Sequence, residues 1–133
     1  MTILVIALTL MSSVKQSDKP PCFSVTNYWS FDEAGNHKAY GGQADGDPYH
    51  TTNMTDIIGP HQAWAWVDAP LPLVGKSVTV PGYGTFPVND TFGDPTYQAG
   101  AFYHHGWDRI VIPIDIFTPT PIYDLVCGGT INN

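Results

Sequence analysis

Apolar and polar positions along this chain alternate with a period of two in short runs, and nowhere does a period of 3.6 persist beyond two turns. Phe23–Trp29 alternates as a first strand, Gln62–Val67 reads as a second with Trp64 and Trp66 on one face, and Lys76–Val80 and Gly84–Asn89 follow. Arg109–Phe117 is the last long apolar run, in which Pro113 argues for a bend or a sheet edge because it has no N–H to donate. Turn chemistry separates these runs at Pro70–Gly75 and Pro81–Gly84. Residues 32–55 carry Gly, Asp, Asn and His with little apolar period and read as a long loop. Repeats and heptads are absent. The pattern predicts an all-β domain, and periodicity alone leaves barrel and sandwich both open.

Composition supports short elements: 13 glycines and 12 prolines punctuate a 133-residue chain, a length that suits one domain. Five Lys and Arg against 12 Asp and Glu give a formal charge of -7, which excludes a nucleic-acid surface, since that needs clustered cations. Cys22 and Cys127 stand near the two ends of the predicted domain; they are either a disulfide, which implies an oxidising compartment, or two buried thiols. Ile3–Leu10 is apolar and runs into Met11-Ser12-Ser13, the outline of a signal peptide without a preceding Lys or Arg. The alternative is an N-terminal arm that docks on another subunit, giving a homo-oligomer or a virion or filament assembly. As a helix the run is too short to cross a bilayer. Residues 1–21 are therefore set apart as segment and linker, and residues 22–133 as the domain.

Three aspartates sit in apolar phrases: Asp68 in Ala65-Trp-Val-Asp68-Ala-Pro, Asp90 in Phe86-Pro-Val-Asn-Asp90-Thr-Phe-Gly, and Asp115 in Ile112-Pro-Ile-Asp115-Ile-Phe. A carboxylate inside a β-patterned run loses water as the sheet forms, which favours its neutral, acid form.

The order of phrases from Trp66 to Gly84 (Trp-Val-Asp-Ala-Pro-Leu-Pro-Leu-Val-Gly, a strand, then Gly-Tyr-Gly), followed by Phe86-Pro-Val-Asn-Asp-Thr-Phe-Gly93 and by Ile114-Asp-Ile-Phe117, resembles the three-aspartate (3D) domain. Thr26-Asn-Tyr28 is similar to that family's opening strand, and Ala39-Tyr-Gly-Gly42 to its glycine-rich stretch. The resemblance covers Phe23–Phe117 and implies a six-stranded double-psi β-barrel, the module of membrane-bound lytic transglycosylase A and of expansins. Two departures stand out. Asp90 and Asp115 are 25 positions apart, with Asp94–Trp107 as an insertion, and the usual Asp-Thr-Gly is Asp90-Thr-Phe-Gly93. Either change re-aims the site or abolishes it.

What the resemblance implies for function is cleavage of peptidoglycan glycan strands with Asp115 as the acid, no cofactor, and an extracellular, periplasmic or virion location. Asp90 is expected close enough to raise the Asp115 pKa by like-charge repulsion. The structural alternative, a carboxylate that accepts backbone N–H groups, weighs most at Asp68, which is otherwise counted with the substrate-binding set. Among Tyr40, Tyr49, Trp64, Trp66, Tyr83, Tyr103 and Trp107, the loop residues Tyr83 and Trp107 are the candidate sugar platforms, the rest reading as core. His104 and His105, with Asp108, His50 and His61, do not make a metal site, because adjacent residues on a strand face opposite ways. A non-catalytic carbohydrate or wall-binding module, and a structural virion or filament subunit, are the competing functions.

Overall fold

A computed structural model describes residues 21–38, 50–52 and 55–133. The N-terminal segment, Ala39–Gly42 with Tyr40, and Tyr49 lie outside the described residues. The described chain is almost entirely β: β1 (Cys22–Tyr28), β2 (Val67–Asp68), β3 (Ser77–Val80), β4 (Gly84–Asp90), β5 (Phe102–His104), β6 (Arg109–Phe117), β7 (Tyr123–Cys127) and β8 (Thr130–Asn132). One short helix, α1 (Pro95–Ala99), lies between β4 and β5.

These strands form one sheet in the order β7-β1-β6-β2-β4-β3-β8, with β5 also on β6. Two of its pairings are parallel, β1 with β6 and β2 with β4, and the others are antiparallel. The end strands β7 and β8 are joined only by Gly128 and Gly129. Three Cα steps span at most about 11 Å, so the sheet must curl until its two ends meet. Gly129 marks the seam: a Cβ there would stand 2.3 Å from Phe23 Cε2 on β1 and 2.7 Å from the Thr79 carbonyl on β3. Only a residue without a side chain lets the strands approach this far. Beside the seam Cys22 and Cys127, register partners on β1 and β7, form a disulfide.

Strict alternation in β6 divides the sheet into two faces. Ile110, Ile112, Ile114 and Ile116 point inward with Phe23, Val25, Val67 and Val88 to form the main core. Arg109, Val111, Pro113, Asp115 and Phe117 take the other face. At the far end of that outer face a second cluster of Tyr28, Phe31, Ile57, Trp66 and Phe117 covers the sheet, with Trp66 stacked on Phe117 at 4.3 Å.

Two sequence expectations need correction. Gln62–Val67 is not a strand: Pro60–Gln62 is a 3-10 turn, Trp64 adopts φ 67, and only Val67–Asp68 is extended. The left-handed residue breaks the alternation, so Trp64 is 41% exposed while Trp66 is 2% exposed. Pro113 does not lie on an edge strand. It lies within β6 where the neighbour on one side changes from β5, paired at Arg109–Val111, to β2, paired at Asp115–Ile116, and a missing N–H is tolerated between the two ladders.

Candidate active site

The three aspartates, scattered in sequence, form one row across the sheet. Asp115 on β6 lies opposite Asp68 on β2, and Asp68 lies opposite Asp90 on β4. The second match depends on a register shift between Val67 and Asp68 that sets Asp90, rather than Asn89, against Asp68. A bulge of this kind re-aims a side chain that simple alternation would send elsewhere. The row continues outward through Thr26 on β1 to Tyr123 on β7. Burial falls steadily along it: Asp90 is 0% exposed, Asp68 1%, Asp115 half-buried and Tyr123 65% exposed.

Each carboxyl has its own surroundings. Asp90 Oδ1 accepts the backbone N–H of Thr52 at 3.0 Å and of Thr91 at 2.9 Å, together with the Thr52 hydroxyl. These donors tie Thr52 to the end of β4. Asp68 is hydrogen-bonded to Tyr28, whose hydroxyl oxygen accepts Trp66 Nε1–H at 2.7 Å, and its Oδ1 has no partner. Burial first, then the negative charges of Asp90 and Asp115, push the Asp68 pKa well above the usual carboxylate range, against the pull of the Tyr28 hydrogen bond. Tyr28 is likewise raised, by burial and then by Asp68.

Asp115 is raised to about 6, by burial, while the Thr26 hydroxyl that it accepts at 2.9 Å acts the other way. Asp115 is the more easily ionised of the facing pair, so it sheds its proton first and its charge then falls on Asp68. Of the two expected sources of the shift, loss of water is the one that raises Asp115, and repulsion from Asp90 is not, since Asp68 stands between them.

Asp115 is also the member of the row that reaches a groove, of about 250 Å³, whose floor is Ser24, Thr26, Pro113 and Asp115 from the outer faces of β1 and β6. Its walls come from elsewhere. Phe92, Tyr97 and Phe102 make one aromatic cluster, with Tyr97 5.8 Å from Phe92 and 4.8 Å from Phe102. Tyr97 is placed by α1, which Asp94 starts by accepting the Thr96 N–H at 2.9 Å and Pro95 favours at the first position. His104 and Tyr123 line the groove as a second cluster, with Tyr123 stacked on Trp107 at 5.3 Å. His104 Nδ1 accepts the Trp107 N–H at 3.2 Å, which leaves Nε2 to meet the Tyr123 hydroxyl at 3.5 Å.

Of the residues singled out in the sequence, Asp115 lines the groove and Trp107 backs it through Tyr123. Asp90 and Asp68 lie behind its floor, so Asp68 has no surface to offer a substrate. Tyr83 is elsewhere, in the β3–β4 turn, its hydroxyl donating to Asp124 at 2.9 Å. Tyr103 donates to Asp108 and packs on His105, on the opposite side of β5 from His104. Among the described residues no group of three or more His, Cys, Asp or Glu side chains is placed to hold a metal ion. Tyr97, Phe102 and Tyr123 carry no motif and were not singled out. Their one signal is an aromatic side chain beside turn residues, as in Asp94-Pro-Thr-Tyr97 and Pro119-Thr-Pro-Ile-Tyr123.

The Asp94–Trp107 segment that departs from the 3D pattern supplies most of the groove wall and leaves the groove open above Asp115. Comparison with known proteins gave no match to any family model, to any curated protein or to any solved structure.

Proposed function

We propose that the chain is a glycan-cleaving domain of the lytic transglycosylase kind, acting on peptidoglycan with Asp115 as its acid. The observation that carries this reading is a single carboxyl, with a pKa of about 6, at the floor of an aromatic-walled groove. Glycoside hydrolases generally need two carboxyl groups facing the scissile bond, one of them to activate water or attack carbon. Among the described residues lining the groove there is one. One suffices when the nucleophile belongs to the substrate. The Asp115 proton passes to the glycosidic oxygen as the C1–O bond breaks, the sugar's own C6 hydroxyl oxygen bonds to C1, and the C6 hydroxyl proton returns to Asp115. The product is a 1,6-anhydro sugar, and a carboxyl poised near 6 serves as both donor and acceptor of that proton.

A double-psi barrel is the finer fold that goes with this proposal. Support comes from the two parallel pairs in an otherwise antiparallel sheet and from the closure at Gly129. The disulfide suits an exported or virion-borne protein, since such bonds persist in oxidising surroundings. Among the described residues no helix is long and apolar enough to cross a membrane.

The test is incubation with purified peptidoglycan and mass spectrometry of the soluble products. Anhydro-muropeptides with the wild type and none with Asp115→Asn are expected. Anhydro products from both proteins would rule Asp115 out as the acid. The 65% exposure of Tyr123 favours one second reading, a wall-binding module without catalysis, for which saturable pelleting with peptidoglycan and no product is the signature.

A further inference from the structure

The groove has ring walls as well as an acid, and the walls decide what enters. One face of Tyr123 is covered by Trp107, at 5.3 Å and 28°, while 65% of the residue stays exposed, so its other face is open to a ligand. His104 steadies the same ring at its hydroxyl. Tyr97 is 37% exposed, and its back is held by Phe92 and Phe102. Both rings are therefore fixed before a ligand arrives, which spares the ordering cost of binding. Between them the floor offers the Ser24 and Thr26 hydroxyls and Asp115. Flat apolar walls over a small polar floor match a pyranose, whose C–H faces stack on aromatic rings while its rim hydroxyls seek hydrogen bonds.

Charge narrows the class. Among the described residues no lysine or arginine lines the groove and Asp115 is the one carboxyl there, and the chain carries -7 overall. A uronic acid or other anionic sugar would meet repulsion here with no cation to answer it.

We propose that the groove is a subsite for an uncharged pyranose ring, with the open face of Tyr123 as its principal platform and Tyr97 as its second wall. This rests on the glycan-cleaving reading and adds the substrate class and the residue that selects it. The probes are N-acetylglucosamine tetramer and cellotetraose, titrated by calorimetry into Asp115→Asn, which removes turnover from the measurement, and tetragalacturonate, titrated into the wild type, which keeps the groove carboxyl. Binding of at least one neutral tetramer and none of the uronate is expected. Adding Tyr123→Ala should weaken that binding about tenfold, whereas Tyr123→Phe should leave it unchanged, since stacking uses the ring and not the hydroxyl. Tyr123 is exposed, so the urea unfolding midpoints of the variants should stay close to the parent's and set misfolding aside. Equal binding by Tyr123→Ala, equal binding of the uronate, or no binding of either neutral tetramer overturns the proposal. These outcomes are separable from the fate of the cleavage reading. Loss of sugar binding in Tyr123→Ala together with full peptidoglycan cleavage by Asp115→Asn would keep the platform and remove the acid. The reverse pair would keep the acid and remove the platform.

Discussion

Replacing Asp115 by asparagine isolates the cost of holding a carboxyl group partly dry. Asparagine has nearly the same shape, and its carbonyl oxygen can accept the Thr26 hydroxyl as Asp115 does at 2.9 Å. What it lacks is a proton to lose. In the folded chain Asp115 titrates at about 6, against an ordinary 3.8. Between those values the unfolded chain has released the proton and the folded chain still holds it, so stability falls as pH rises. The contribution is fully present below the unfolded value and is gone once pH passes the folded one. Two pKa units at about 1.4 kcal/mol each set its full size at about 3 kcal/mol. Because the unfolded carboxyl is already half ionised near pH 4, roughly 2 kcal/mol of that is lost between about pH 4 and pH 7.

The stability of Asp115→Asn relative to wild type should therefore climb by roughly 2 kcal/mol over that interval and level off above it. Asp68 adds to the effect in the same direction, since the variant removes one of the negative charges that bear on it. Urea unfolding followed by tryptophan fluorescence at a series of pH values and constant ionic strength gives the difference directly. A difference that stays flat with pH would show an ordinary carboxylate. One that shrinks as pH rises would show a carboxylate stabilised by the fold, and either result refutes the burial argument. The same titration should appear in catalysis as a falling limb of kcat/KM above about pH 6, because the acid must arrive protonated.

Three other perturbations probe the frame around the site. Cys22→Ser with Cys127→Ser opens a loop with a sequence separation of 105 and should lower the unfolding free energy by about 4 kcal/mol; urea midpoints that do not move on reduction of the wild type would contradict this. Gly129→Ala places a Cβ against Phe23 and the Thr79 carbonyl and should cost about 2 kcal/mol or more in the same assay, whereas a neutral result would mean that the seam is loose. Tyr28→Phe strips Trp66 Nε1 of its acceptor and Asp68 of its hydrogen-bond partner, both buried, and should cost about 1–3 kcal/mol; no loss of stability would show that the buried chain from Trp66 to Asp68 contributes nothing.

The strands that were legible in the sequence are those whose alternation is long enough to count. Ser77–Val80, Gly84–Asp90 and Arg109–Phe117 fall within a residue of their expected bounds, and the isoleucine at every second place in β6 states the inward face outright. β5 and β8, at three residues each, are too short to show a period, and α1 depends on the Asp94 cap, a local signal outweighed by the surrounding glycines and prolines. Trp64 misleads because its alternation with Trp66 is real in sequence but is undone by one left-handed backbone angle. That the three aspartates lose water on folding was readable from their apolar surroundings. Their adjacency was not, since it follows from pairings across 22 and 47 positions and from a register shift at Asn89 that no residue type announces.

Position in the row, rather than residue type, settles what each aspartate does. At its inner end three donors fix Asp90 as a tie between segments, and in the middle burial and then the charges of Asp90 and Asp115 push the Asp68 pKa upward. Only at the outer end does a carboxyl meet solvent and a cavity while remaining dry enough to keep its proton up to about pH 6. If Asp115 lay one register step inward, in the place of Asp68, it would be sealed. Asp115 is thus set by the sheet strands β1, β2 and β6, whereas the groove walls come from Phe92, from the Asp94–Trp107 segment and from Tyr123. On the proposed function, acid strength and substrate choice reside largely in separate stretches of chain, so a change at Tyr97 or Tyr123 should alter what binds while leaving in place the strands that set Asp115.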